Sequence, residues 1–178
     1  IVSRDWSSDV CSSDLLLELK NLFLEDGGKK DLHYEMDLSQ VVFSGVRPFI
    51  TPVSVTAQAE NRAGAIHLKA DVAFDFRCPC DRCAAETQRA YRFSFQHVLV
   101  NALNDEENDT FLLVENESIE LDDLLREDIL LELPTKFLCK PDCKGLCPQC
   151  GKNLNEGKCS CSARQVDPRL EILKKLID

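Results

Sequence analysis

No stretch of this 178-residue chain approaches the ~20 consecutive apolar residues that a membrane helix needs. Its first residues lack an initiator Met, a basic region and an apolar run of the signal-peptide kind, so a cytoplasmic protein is expected, with no membrane partner. Glycine is sparse, 7 in all, and no Gly-rich loop of the phosphate-cradling kind is present. The histidines, His33, His67 and His97, are scattered at strand-like positions and read as ordinary surface or core residues. No Ser/His/Asp cluster suggests a nucleophile, and the acids of 117–132 suit a solvated helix face better than a paired-carboxylate site. These gaps point away from an enzyme and from a small-molecule substrate.

What the chain has in excess is cysteine, 10 residues. One of them, Cys11, lies with Trp6 in a segment, 1–14, that resembles translated sequencing-adapter read-through and is expected to be a non-native extension. The nine others form an odd set without a secretory signal, which favours metal over a disulfide framework. Charge is uneven beneath a net −10. Residues 104–133 hold twelve acids against the single base Arg126, whereas 134–178 hold nine bases against five acids. That asymmetry suggests an acidic face and a separate basic module.

The middle of the chain alternates with period two. Val53, Val55, Ala57 and Ala59 share one face; after the turn Asn61–Gly64, so do Ile66, Leu68, Ala70, Val72, Phe74 and Phe76. Tyr91, Phe93, Phe95 and Leu99 repeat the pattern. Such runs predict half-buried antiparallel strands. Residues 16–50 read weakly: Leu17, Leu19, Leu22 and Leu24 suggest a short strand or helical turn. Residues 104–109 read as a charged loop, and Leu121, Leu124, Leu125 and Ile129 line one face of a helix near 121–133, with Asp122 as its cap and Pro134 as its stop. Asp167-Pro168 opens a last short helix with Leu170, Leu173 and Ile177 on its apolar face. The expected class is α+β: a mainly antiparallel β domain over 15–134, a few short helices, and a cysteine-rich zinc module with a final helix over 135–178. No internal repeat is evident.

Residues 134–166 carry almost no apolar periodicity, so their order needs another source. Six thiols supply a candidate: Cys139, Cys143, Cys147, Cys150, Cys159 and Cys161. In Cys147-Pro-Gln-Cys150-Gly151, two thiolates reach one ion because the chain folds back tightly, and Gly151 permits the positive φ such a turn requires. One zinc takes four ligands, so the six exceed it; Cys147 and Cys150 are the firmest, Cys159 and Cys161 the next source, then Cys143 and Cys139, with one thiol from each outer pair also open, and spacing does not choose among them. A redox dithiol would open a helix after a strand, and no helical pattern follows Cys150. The second cluster, Cys78-Pro-Cys80-Asp-Arg-Cys83, sits at a strand turn, where Cys80 and Cys83 can form half a metal site or simply be buried thiols.

Three features resemble one family: the CDRC turn, the helix IELDDLLREDILLELP, and LCKPDCKGLCPQCGKNLNEGKCSC followed by DPRLEILKKL. In this order they are similar to the YceD family, the large ribosomal RNA subunit accumulation proteins, over about residues 16–178. The resemblance implies a bacterial and plastid factor needed for large-subunit ribosomal RNA to accumulate, acting in ribosome biogenesis and not known as an enzyme. Some members lack the cysteine-rich tail, which implies a structural role for it, and the family's paired cysteines map onto Cys80 and Cys83. The extra Cys78 departs from the pattern.

A chain at −10 is repelled by phosphate, so the expected role is an adaptor on the pre-ribosomal particle, its acidic helix engaging a basic ribosomal protein through Glu120, Asp122, Asp123, Glu127 or Asp128 while the basic tail touches large-subunit ribosomal RNA locally. The rival is a zinc-dependent redox-switched chaperone, although such chaperones place C-x-C before C-x-x-C and here Cys159-x-Cys161 comes second. The tail depends on metal while the strands carry their own apolar face, so the two are expected to be separable in stability.

Overall fold

The computed structural model describes residues 15–102 and 111–161. The segment 1–14, the loop 104–109 and the helix expected from Asp167 lie outside the described residues.

Strand alternation produces the main element. Strands β2 (Lys29–Met36), β3 (Val53–Arg62), β4 (Ala65–Pro79), β5 (Glu86–Val100) and β6 (Phe111–Leu113) make a five-stranded sheet in chain order. It is antiparallel except where β6 runs parallel to β5 over Val98–Val100. A separate two-stranded pair joins β1 (Leu16–Glu18) to β7 (Ser118–Glu120). Among the described residues, the two α-helices are α1 (Lys20–Leu24) and α2 (Leu121–Glu132). The described residues are therefore mostly β with two α-helices, as the alternation implied, but with one parallel pairing.

Every apolar residue singled out in β3 and β4 is buried, and these side chains form one core with the helices. Leu121, Leu125 and Ile129 of α2 are fully buried against it. The helix stops as expected: Leu133, just before Pro134, is extended with ψ 140°. Its start differs. Glu120 occupies the cap position but its side chain does not cap the helix, and Asp122 instead accepts from the Tyr34 hydroxyl at 2.7 Å and the Leu15 backbone N–H at 3.3 Å. Asn61, the one buried polar residue described, donates to the carbonyls of Leu22, Phe23 and Glu25 and so ends α1.

Two features carry the fold to the cysteines. The long β4–β5 hairpin ends with Pro79 opposite Glu86, and its tip is Cys80–Ala85. The chain leaving α2 then returns to that tip. Phe137 plugs into the main core, stacking on Phe76 with centroids 5.1 Å apart and meeting Phe43 edge-on at 5.8 Å. Its backbone is tied to the tip twice: the Asp81 N–H donates to the Phe137 carbonyl at 2.8 Å, and the Phe137 N–H to the Asp81 carboxylate at 2.6 Å.

Candidate metal centres

The cysteines gather into two groups of four, not one group drawn from the six tail thiols. Cys80 and Cys83 at the hairpin tip meet Cys139 and Cys143. Cys147, Cys150, Cys159 and Cys161 form the other tetrad. Within each, all four sulfurs lie within 4.8 Å of one another. All nine described cysteines are free thiols.

Both tetrads are built on the same turn. In the first, the Cys80 N–H donates to the Ala85 carbonyl at 2.8 Å and the Ala84 N–H to the Cys80 carbonyl at 2.8 Å. In the second, the Cys147 N–H donates to the Lys152 carbonyl at 2.8 Å and the Gly151 N–H to the Cys147 carbonyl at 2.9 Å. The residue after the second cysteine has positive φ in each case, 55° at Ala84 and 72° at Gly151. The second turn is also a hairpin tip, flanked by the bridge between Leu146 and Asn153. The Gly151 expected from sequence thus has an unforeseen counterpart in Ala84.

This turn points backbone N–H groups at the leading sulfur. Burial pushes the Cys80 thiol up, but the N–H groups of Cys139, Arg82 and Cys83 outweigh it and bring it down to about 6. The N–H groups of Cys150 and Gln149, with the Cys159 thiol, bring Cys147 down to about 6. Cys143 is lowered as well, first by the Asn155 side-chain amide, 3.3 Å from its sulfur. The last thiols go the other way. Cys139 is pushed up to about 12, by burial first and then by Cys143, and Cys161 to about 12, by Cys150 first and then by burial. Four thiols this close cannot all ionise unless a cation joins them.

A divalent metal is the cation that fits. A tetrahedral zinc with Zn–S near 2.3 Å sets its sulfurs about 3.8 Å apart. The observed separations are 3.8 Å for Cys80–Cys143, 3.6 Å for Cys83–Cys139 and 3.4 Å for Cys147–Cys159. Thiolate donors, a closed four-ligand set and oriented N–H groups suit a structural site, with no open position for a substrate. Cys78 belongs to neither tetrad: it is buried in the hairpin, its sulfur 3.7 Å from the Thr87 hydroxyl.

The expected docking acids are not one free surface. Asp122 is held by Tyr34 and Leu15, and Asp128 lies 2.7 Å from His97 Nε2. Asp123 pairs with Arg126 at 2.7 Å, Glu127 is exposed, and Glu120 is exposed on β7 opposite Leu16. Sequence reasoning missed Arg82 and Asn155. Arg82 donates to the Cys143 carbonyl at 2.8 Å while its own carbonyl accepts the Leu146 N–H at 3.1 Å. Asn155 joins the tail loop to the first tetrad; no spacing rule marked it.

Comparison with known proteins agrees with the motifs. Residues 68–177 match the model of the family described as "Large ribosomal RNA subunit accumulation protein YceD". An uncharacterized protein of Bacillus subtilis, YlbN, is 28% identical over 130 residues, which is 72% of this chain and 76% of that protein. A chloroplastic protein of Zea mays named as a large ribosomal RNA subunit accumulation protein YCED homolog is 28% identical over 148 residues, 65% of this chain and 50% of its own length. An uncharacterized protein of Mycobacterium tuberculosis is 31% identical over 102 residues, 55% of this chain. The chain spans about half the length of the maize and mycobacterial relatives. No solved structure matches.

Proposed function

The chain belongs to the YceD family of large ribosomal RNA subunit accumulation proteins, and from that premise we propose that it is a non-catalytic factor in biogenesis of the large ribosomal subunit. The observation that carries this reading is the family match over residues 68–177, which includes both thiol tetrads. The name borne by the maize relative supports it. The factor acts as an adaptor, with the acidic 104–133 segment meeting a basic ribosomal protein and the lysines of the tail reaching ribosomal RNA. Zinc in the tail tetrad of Cys147, Cys150, Cys159 and Cys161 holds that module in shape.

Of the five acids first considered, Asp123 and Glu127 are the ones to alter, because Asp122 and Asp128 support the fold through Tyr34 and His97. Depletion of the protein in its host should lower large-subunit ribosomal RNA relative to small-subunit RNA. Complementation with D123K/E127K should fail to restore the ratio, while the purified variant keeps its fold and metal. Restored ratios would sink the acidic docking surface. The purified chain alone should bind RNA weakly, with a log–log salt slope of about −2 to −4 for three or four phosphates. Tight binding by the lone chain at physiological salt would make it a direct RNA binder instead. The redox-chaperone alternative is separated by one assay: peroxide treatment should release no holdase activity.

A further inference from the structure

We propose that Cys80, Cys83, Cys139 and Cys143 form a second zinc site, and that this site joins the cysteine-rich segment to the β4–β5 hairpin as one folding unit.

Sequence spacing offers only half of such a site at the hairpin; the tertiary fold supplies the rest. Cys143 lies 63 residues from Cys80, and Cys139 lies 56 residues from Cys83, yet their sulfurs sit 3.8 Å and 3.6 Å apart. Those separations match the edges of a tetrahedron about zinc, about 3.8 Å, and far exceed the ~2.05 Å of a disulfide. The alternative, a plain pocket of buried thiols, leaves three observations without a cause. First, a side-chain donor is aimed at the cluster: the Asn155 amide lies 3.3 Å from the Cys143 sulfur. A metal-bound thiolate gains more from such a donor than a neutral thiol does. Second, the turn at Cys80 repeats, bond for bond, the turn at Cys147 in the other all-cysteine tetrad. Third, among the described residues the small buried cluster of Cys80, Cys83 and Cys143 has only Leu138 packed against it. Hydrophobic burial of that size does not fix a loop to a strand tip.

The ties around the tetrad explain why the joint is one unit. Asp81 and Phe137 exchange two hydrogen bonds, Arg82 bonds to the Cys143 carbonyl and the Leu146 N–H, and Arg89 donates to the Leu138 carbonyl. Gly145 approaches so closely that a Cβ there would lie 2.9 Å from the Arg82 carbonyl oxygen. Each of these contacts joins the segment 137–146 to the hairpin, and none lies within the tail alone. The tail therefore does not hang from the sheet as a separable module.

The test uses the full-length chain with Zn2+ as the only added ligand. Elemental analysis and native mass spectrometry should find two zinc ions per chain, and C80S/C83S should retain one. Thiol alkylation mapped by mass spectrometry on the unaltered chain is the second readout, valid even where a variant does not fold. Zinc should protect Cys80, Cys83, Cys139 and Cys143 as well as the tail four, a chelator should abolish that protection, and a single zinc with the hairpin thiols indifferent to chelator would overturn the site. Hydrogen exchange after chelation should rise in residues 78–86 together with 136–146. A rise confined to 136–161 would overturn the joint unit.

Discussion

Replacing Gly145 by alanine tests the junction between tail and hairpin without touching a cysteine. Two costs arise. The residue has φ 74°, a region where an L side chain costs about 1–2 kcal/mol. The added Cβ would also sit 2.9 Å from the Arg82 carbonyl oxygen, a backbone atom that cannot swing aside. That carbonyl accepts the Leu146 N–H at 3.1 Å, so displacing it sacrifices a hydrogen bond of about 1 kcal/mol and shifts the Arg82 that holds Cys143. The sum is about 2–4 kcal/mol. Gly151→Ala is the matched control: its φ is 72°, but nothing lies within 4 Å of the new Cβ, so only the backbone cost of about 1–2 kcal/mol applies. Denaturant unfolding of both zinc-loaded variants at equal m-value isolates the difference, about 1–2 kcal/mol. Equal losses would refute the reasoning, because the close approach to Arg82 would then contribute nothing.

Other positions give further expectations. Asn61→Ala should cost about 2–4 kcal/mol in denaturant unfolding, since the carbonyls of Leu22, Phe23 and Glu25 lose their donor at a buried site. Ile129→Ala should cost about 2–5 kcal/mol as a cavity in the main core, whereas Leu131→Gln on the same helix, at 85% exposure, should stay within about 0.5 kcal/mol by the same measurement. Asn155→Ala removes the amide from Cys143 and should weaken zinc at the hairpin tetrad roughly 10–100-fold in competition with a chromogenic chelator, with the tail tetrad less affected.

The strands that sequence reading located are those whose alternation is strict. In β3 and β4 every second residue is buried, so pattern and structure coincide. Strand β2 escaped notice because KKDLHYEM buries only Met36 fully; it is an edge strand whose Leu32 and Tyr34 are half covered. The leucines of 17–24 signalled a short strand or helical turn, and β1 and α1 both lie there, whereas β6 and β7 are three residues each and exist through their partners, which no local signal encodes. The helical face of α2 was legible, but its cap was not, because Asp122 is drawn away by Tyr34, 88 residues earlier. The same division holds at the thiols. The Cys147–Cys150 knuckle and its Gly151 could be read locally, whereas the partition of the tail cysteines depends on where the chain after α2 returns. One arithmetic signal was present: setting Cys11 and Cys78 aside leaves eight thiols, enough for two four-ligand sites.

Zinc in the two tetrads would also alter the charge on which the functional reading depends. Between 134 and 161 five lysines, Lys136, Lys140, Lys144, Lys152 and Lys158, face only Asp142 and Glu156, and sequence alone makes this segment basic. Four thiolates around one Zn2+ carry a surplus of two negative charges, so two loaded tetrads bring four. The lysines then largely offset the metal centres instead of forming a free cationic patch, although the hydrogen bonds to sulfur spread that charge. A loaded tail is accordingly expected to contact phosphate more weakly than its lysine count implies. The acidic side contracts as well, since Asp122 and Asp128 serve the fold and Asp123 is paired with Arg126. Among the described residues, these acids and lysines are therefore mostly engaged with the fold or set against the metal sites. That arrangement suits specific docking onto a protein partner better than long-range attraction to RNA, and so favours the adaptor over the direct RNA binder.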